Sequence, residues 1–557
     1  MQRELKRLSE EEYDLLVIGG GINGLAAAWD AALRGLKVAL VEKGDYGAQT
    51  SSATLKIVHG GLRYLQHLDI VRSRESIRER SVMLAIAPHL VQPFPFVVPT
   101  YGHLLQGKEF LSIGILLNEM VSFDRNRAIR DPERRIPAGR ILSRAECLNL
   151  VPRVNADGLT GGVMFYDAQM YNSDRLTLSF ALSAAGKGAD LANYVEVVRL
   201  LHRDKRVTGA RVRDIPTGSE FDIRAKMVAN MTGPWSDIVL GLLGEENPAR
   251  RVVRSKGIQI VTPPLTESCG LAVQSKFEDP DAIFSRGGRN YFIMPWRGRS
   301  LIGTTDTVYE GDPDDFRITD GDIREFIAEI NDAVPSAGFR REDVTFAFGG
   351  LRPITEKNID AGSKVSRKYE VYDHARDIGF EGLVTVIGVK YTTCRFLAQK
   401  VVNLVFRKLN RVSPPVVTDR TPLAGGDIER FDDFARELAE RPPVPLSEKT
   451  LRHLAHTYGT GFGVITERVR ADADLGRLVA GSEEVTRAEV VHAVREESAV
   501  RLADVVLRRT DIGTLGHPGR AALEECAAIM ARERGWDAVR TALEIEATER
   551  CFVFGQS

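Results

Sequence analysis

Residues 13–43 read YDLLVIGGGINGLAAAWDAALRGLKVALVEK, and few folds accommodate that order of residues. Residues 15–18 form a short apolar run of the kind that makes a strand buried on both faces. Gly19, Gly21 and Gly24 follow with the G-x-G-x-x-G spacing. The first glycine permits the tight turn, the second lets backbone approach a pyrophosphate, and the third lets a helix pack closely on the strand. The Ala- and Leu-rich residues 25–33 predict a helix, and its opening turn, with Ile22 and Asn23, aims a positive dipole end and unpaired N–H groups at phosphates. Residues 36–41 predict the second strand. Glu42 ends it, about 20 residues beyond the glycines, where a carboxylate accepts hydrogen bonds from ribose hydroxyls. Strand, glycines, helix, strand and acid in that order predict dinucleotide binding, whereas the glycine spacing alone would fit any Gly-rich loop.

At 557 residues the chain exceeds a single hydrophobic core, so two or three domains are expected. A formal net charge of -1 gives no global attraction to nucleic acid. Cys147, Cys269, Cys394, Cys526 and Cys551 are widely separated and form no C-x-x-C, which indicates neither a disulfide framework nor a zinc site and fits a reducing cytoplasm. The N-terminus, MQRELKRLSEEEYD, is charged and runs directly into the first strand, unlike a signal peptide, and no run of about 18 apolar residues suggests a spanning helix. Residues 110–121, FLSIGILLNEMV, read first as a core helix, with a monotopic membrane contact as the alternative. Residues 72–80, RSRESIRER, interleave Arg with Glu and predict a solvated helix face.

Residues 190–228 alternate apolar and polar positions between turn signals, the pattern of a small meander. Further alternating strands are expected at 257–261, 290–295 and 300–304, and a buried strand at 382–387 with a helix over 390–408. A Pro/Gly-rich stretch at 412–426 marks a linker, beyond which the spacing is helical. Over 491–507, Val494, Leu502, Val505 and Val506 fall on one helical face. The expected division is a discontinuous dinucleotide-binding domain (1–95, 150–245 and 345–411), a substrate or cap domain (96–149 and 246–344), and a helical domain (427–557).

Separated stretches can build one cofactor site. Residues 230–235, NMTGPW, put the small Thr232 and Gly233, then Trp235, after a strand, allowing close approach to a flat cofactor. Residues 385–393, TVIGVKYTT, again place a glycine, Gly388, between a strand and a helix N-terminus. Such a terminus stabilises negative charge on the N1/O2 side of a reduced isoalloxazine. A nucleotide fold whose last strand–helix unit returns so late fits a flavoprotein, because a compact NAD module is contiguous. Arg63, Tyr64, Arg352, Arg367 and Lys390, most of them beside glycines, would suit an anionic, phosphate-bearing substrate. His59 reads either as a general base or as a packed histidine satisfied by backbone.

Taken together, these stretches resemble the FAD-dependent glycerol-3-phosphate dehydrogenase/oxidase family. The matching residues are GGGING with RGLKVALVEK, TSSATLKIVHGGLRYL, APHL at 87–90, YDAQM at 166–170 and TGPW at 232–235. They continue through KG at 256–257, MPWRGRSLIGTTDT at 294–307, GGLRPI at 349–354, KYTT at 390–393 and LRRTDIG at 507–513. The resemblance covers nearly the whole chain in order. It implies an α/β plus α fold like the D-amino-acid-oxidase-type flavoproteins: a discontinuous Rossmann-like FAD domain, a β-rich substrate domain and an all-helical C-terminal domain. It implies oxidation of sn-glycerol 3-phosphate to dihydroxyacetone phosphate, with hydride passing from C2 to flavin N5 and electrons leaving to a quinone or similar acceptor, or to oxygen. Carried over by motif, His59, Arg352 and Lys390 would be catalytic, and Arg63, Tyr64, Gln259, Arg352, Arg367 and Lys390 would surround the substrate. FAD would rest on Gly19, Gly21, Ile22, Asn23, Gly24, Glu42 and Lys43, on Thr50, Ser51, Ser52, Lys56, His59, Gly60 and Gly61, and on Thr232, Gly233 and Trp235. Gly350, Arg352, Gly388, Val389, Lys390, Tyr391 and Thr392 would complete its site, with no metal. The quinone-linked type attaches peripherally to the inner face of the membrane, which would give residues 110–121 a role, and a homodimer is compatible with the resemblance. The chain departs from the family pattern at Gln259, where KG-[ST]-H is usual, at Met231, at Val389, and after YDAQM, where YNSDR replaces more acidic residues. Gln259 cannot act as a base. A same-fold flavin oxidoreductase acting on a different small hydroxy or amino compound is therefore the alternative.

Overall fold

The computed structural model describes residues 1–65, 69–102, 108–244, 252–278, 288–355, 369–388 and 390–554, without the side chains of 63, 65, 108–110, 275–278, 288–290 and 355. Two sheets organise these residues. In the first, five parallel strands lie in the order Leu383–Ile387, Glu220–Asn230, Glu12–Ile18, Val38–Glu42 and Asp190–Asn193. Glu12–Ile18 is buried from Tyr13 onward, as a strand covered on both faces must be. The chain winds outward from it in both directions, so its carboxyl end is the switch point at which open α/β sheets bind ligands. The meander expected over 190–228 is present: Val195–Arg203, Arg206–Asp214 and Glu220–Asn230 pair antiparallel.

The helix Ile22–Leu33 is buried almost all round. Its alanines let the helices Ser173–Ala185 and Cys394–Lys408 close on it, and Trp29 meets Phe180 edge-on at 5.5 Å. This packing fixes the two glycine-framed helix starts beside each other.

The second sheet runs Thr307–Tyr309, Val252–Thr262, Arg299–Gly303, Gly288–Trp296, Gly270–Glu278, Val91–Tyr101, Leu159–Met170 and Ile57–Val58, with Phe346–Thr355 on Val252–Thr262. Boundaries at 95, 150 and 345 would assign Ile57–Val58, Leu159–Met170 and Phe346–Thr355 to the dinucleotide-binding domain. All three pair instead within this sheet. The C-terminal region is helical from Phe431–Glu440 to Ala538–Arg550 around its own apolar cluster.

Three local expectations are corrected. The 72–80 stretch, within the helix Ile70–Ile86, is not a solvated face: Ser73, Ser76, Glu79 and Arg80 are buried. Glu79 accepts 2.8 Å from Arg395 Nε, and Arg80 pairs with Asp167, so ion pairs to distant segments make that burial tolerable. The helix Lys108–Val121 is not a core helix, since Ile113, Leu116 and Met120 are more than half exposed. The apolar positions over 491–507 do not share one α-helix. Arg487–Glu496 ends before Leu502–Asp504, which leads into a π-helical turn at Val505–Arg509.

Candidate active site

The parallel strands of the first sheet end side by side, and residues at or just beyond each carboxyl end line one cavity of about 1020 Å³. Gly19 follows Ile18, Glu42 closes its strand, Thr232 and Gly233 follow Asn230, and Gly388 follows Ile387. The Gly388 Cα is so close to Asn23 that a Cβ there would come within 2.7 Å of Asn23 Nδ2. Two strand–helix units 365 positions apart in the chain thus share one floor.

At the nucleotide end, Gly21 caps the helix Ile22–Leu33 in extended conformation and supplies no side-chain cap. The Ile22 N–H donates to Ser51 Oγ at 3.0 Å, which ties the HGGLRYL segment's leader to the glycine loop. Glu42 accepts from the N–H of Gly20 at 2.6 Å and of Gly44 at 2.8 Å, leaving further carboxylate lone pairs toward the cavity. Burial raises the Glu42 pKa above the ordinary glutamate value, and those two donors offset part of the rise. Asn23 Oδ1 is buried with no hydrogen-bond partner among the described residues. A glycine-framed helix N-terminus, a carboxylate with acceptor capacity and an orphaned amide oxygen fit a dinucleotide. Opposite, Lys43 pairs with Asp314 and lies 4.8 Å over the Trp235 ring, whose Nε1 donates to Asp314 at 2.8 Å. This clasp links the two sheets across the cavity wall.

At the other end stand His59, Tyr64, Gln259, Arg352 and Lys390. His59 is half exposed, its N–H donates to Thr392 Oγ1 at 3.1 Å, and its Nδ1 lies 3.2 Å from Asp167 Oδ2. Burial would raise the Asp167 pKa, but the His59 hydrogen bond, the Arg80 charge 2.6 Å away and the Gly60 N–H hold it below the usual aspartate value. Arg352 projects from Phe346–Thr355 across Gly257, where a Cβ would overlap its Nη2. Its Nη2 donates 2.6 Å to the Thr305 carbonyl, and Nη1 is 3.9 Å from Asp306. Lys390 Nζ sits 3.8 Å above the Tyr64 ring. Gln259 Nε2 donates to Thr304 Oγ1 at 3.1 Å, while its Oε1 is buried without a partner among the described residues.

Not every expected residue turns toward the cavity. Lys56 is buried away from it, with Nζ donating to Ser173 Oγ at 3.0 Å and lying 4.5 Å over Trp296; burial lowers its pKa. The Ser52 hydroxyl donates to the Gln49 carbonyl at 2.7 Å, and Gly60 abuts Arg80 and Asp167. Gly24 packs on the Gly19 carbonyl, the helix–strand contact its spacing implies. The Tyr391 hydroxyl turns inward to Thr177 Oγ1 at 2.9 Å, although the residue lines the cavity. Thr50 and Gly350 line it together, the Thr50 hydroxyl donating 2.7 Å to the Leu351 carbonyl; Gly61 lines it too. The Arg63 side chain, Arg367 and Val389 lie outside the described residues. Nothing in the sequence marks Arg80, Asp45 or Asp314 as site residues, and Asp167 is marked only by the YDAQM match.

A family model described as FAD dependent oxidoreductase matches residues 14–390, and one described as the C-terminal domain of alpha-glycerophosphate oxidase matches residues 416–541. The chain is 35% identical over 544 residues to a glycerol-3-phosphate dehydrogenase of Synechocystis sp., covering 96% of this chain and 95% of that protein. It is 32% identical over 541 residues to a glycerol-3-phosphate dehydrogenase of Mycobacterium leprae, covering 96% and 87%. Among solved structures, the glycerol-3-phosphate dehydrogenase from Bacillus halodurans complexed with FAD superposes with a TM-score of 0.75 at 25% identity, covering 98% of this chain and 95% of that one.

Proposed function

The chain belongs to the FAD-dependent oxidoreductase family, and from that membership and the cavity's geometry we propose that it oxidises sn-glycerol 3-phosphate to dihydroxyacetone phosphate. The observation that carries this reading is the shared cavity: a dinucleotide pocket at one end and His59, Tyr64, Arg352 and Lys390 at the other. When bound, FAD supplies the acceptor for the hydride leaving C2. Arg352 and Lys390 hold the phosphate, the first through its planar fork and the second as a point charge. His59, oriented by Asp167, takes the C2 hydroxyl proton, so the substrate loses one hydride and one proton. Tyr64 fixes the Lys390 ammonium by its ring face.

One observation favours a second reading. Gln259 stands where the family usually has histidine, and its Oε1, without a partner among the described residues, accepts from an amine as readily as from a hydroxyl. Anaerobic mixing with a panel of phosphorylated and unphosphorylated polyols and amines separates the two. Bleaching of flavin absorbance within seconds by glycerol 3-phosphate supports the first; bleaching only by another compound establishes the second.

For reoxidation we propose a quinone at a membrane surface. No helix among the described residues is long and apolar enough to cross a membrane. The helix Lys108–Val121 exposes Ile113, Leu116 and Met120 while its Leu111 lines the cavity, which supports an apolar acceptor approaching along this helix.

A further inference from the structure

The turn that follows Glu42 is held from two sides. Toward the cavity, the Glu42 carboxylate gathers the N–H groups of Gly20 and Gly44. On the side of the C-terminal domain, Asp45 is buried and accepts from it: Arg509 Nη1 and Nη2 reach its two oxygens at 2.6 and 2.7 Å, and Arg508 Nε reaches Oδ2 at 2.6 Å. Asn193 Nδ2 bridges the two bodies, donating 2.8 Å to Asp45 and 3.0 Å to the Ser498 carbonyl. Arg508 also pairs with Asp504 at 2.6 Å, so the partly buried Arg508 and the buried Arg509 face two buried aspartates. Asp504 is itself anchored by the N–H groups of Val500 and Arg501 and by the Tyr194 hydroxyl. Tyr194 in turn donates its N–H to the Gly44 carbonyl at 2.9 Å. Burial acts to raise the Asp45 pKa, and the two guanidiniums outweigh it and hold the residue ionised.

We propose that the C-terminal helical domain is a cofactor-retention element, in which Arg508 and Arg509 set the Glu42–Gly44 turn for the nucleotide by fixing Asp45. They are positioning residues, acting through Asp45, which itself lines the cavity. A bidentate guanidinium–carboxylate pair fixes both distance and plane. Its loss leaves the buried Asp45 carboxylate, three residues beyond Glu42, held only by Arg508 and Asn193. Arg508 and Arg509 lie on a π-helical turn, whose five-residue ring is formed here over Val505–Arg509. The coupling is reciprocal: if the docked domain favours FAD, bound FAD favours docking.

The test measures FAD affinity of the deflavinated full chain by flavin fluorescence, and amide exchange over residues 502–510 with and without FAD. For Arg509→Met the dissociation constant is expected to rise at least tenfold, and FAD is expected to slow exchange over 502–510 in the parent. Arg508→Gln provides a milder second variant, expected to weaken FAD at least threefold. Arg487→Met breaks a pair to Glu525 inside the same domain and is expected to leave FAD affinity unchanged. FAD affinity within twofold of the parent in Arg508→Gln, or in an Arg509→Met protein with parental far-UV dichroism, overturns the proposal. So does equal weakening by Arg487→Met, which would make the effect one of general stability.

Discussion

His59 Nδ1 and Asp167 Oδ2 stand 3.2 Å apart, and Arg80 holds the far oxygen of the same carboxylate at 2.6 Å. With Nδ1–H donating to Asp167, His59 Nε2 carries the lone pair that a general base needs. Asp167→Asn should therefore keep FAD but lose about 10²-fold in kcat/KM, the lower end of what a positioned base contributes. The aspartate also has a stability signature. Its folded pKa is depressed, so its contribution is complete above about pH 3.9 and is lost as pH falls through the lower folded value. An unchanged kcat/KM in Asp167→Asn would remove Asp167 from the orientation of the base.

Arg352 is the residue on which the anion site depends. Arg352→Ala should remain yellow yet lose flavin reduction by a phosphorylated polyol, with a penalty of roughly 1.5–3 kcal/mol for the charged hydrogen bonds, about 10- to 150-fold. Gly257→Ala should reproduce part of the defect without altering the arginine, because the new Cβ overlaps Nη2 and pushes the fork aside. Stopped-flow reduction against substrate concentration reads both. Normal turnover by Arg352→Ala would place the phosphate elsewhere.

What the sequence made legible was local. Strand, glycines, helix and acid over 13–43 needed only neighbours, and the nucleotide end stands where that order puts it. Gly388 was legible because a glycine between strand and helix repeats the same local pattern, and the parallel sheet brings it to Asn23. Glu79 and Arg80 were not legible. A charged helical stretch reads as solvated unless the partners are known, and these are Arg395 and Asp167, 316 and 87 positions away. Lys56 misled for a related reason: its place in a nucleotide motif says nothing of the buried hydroxyl and indole that receive its ammonium. The apolar positions at 494–506 kept helical spacing although the chain breaks between them, since spacing is blind to a loop that restores the same face.

Three histidines at the domain junction predict a stability maximum near pH 6.5. Burial lowers His89 to about 3 and His456 to about 4, so the unfolded chain takes protons that the folded chain refuses as pH falls below 6.5. Each costs about 1.4 kcal/mol per pH unit in that window. His453 has the opposite sign. Burial acts to lower it, but Glu489, 2.8 Å from its Nε2, holds it above 6.5, so its contribution is present below that pH and fades as pH rises. His456→Phe keeps the stack on Tyr171, now at 4.4 Å, and cannot be protonated. Melting temperatures between pH 5 and 7 should fall with acid about half as steeply in this variant, and an unchanged slope would assign the acid sensitivity elsewhere.

The exposed face of Lys108–Val121 predicts attachment to lipid. Leu116 is 61% exposed and Met120 is 55% exposed, one turn apart on the same side, with Phe123 exposed just beyond the helix. Burying a side chain of this size gains about 1.5–3 kcal/mol. Leu116→Asp with Met120→Asp should therefore weaken cosedimentation with equimolar phosphatidylcholine–phosphatidylglycerol vesicles by more than about 100-fold. Reduction of the flavin by substrate in solution should be unaffected, since neither side chain lines the cavity. Electron transfer to a vesicle-embedded quinone should fall with the binding. Binding that persists in the double variant would assign the membrane face to another surface, and quinone reduction that persists without binding would mean the acceptor enters from water.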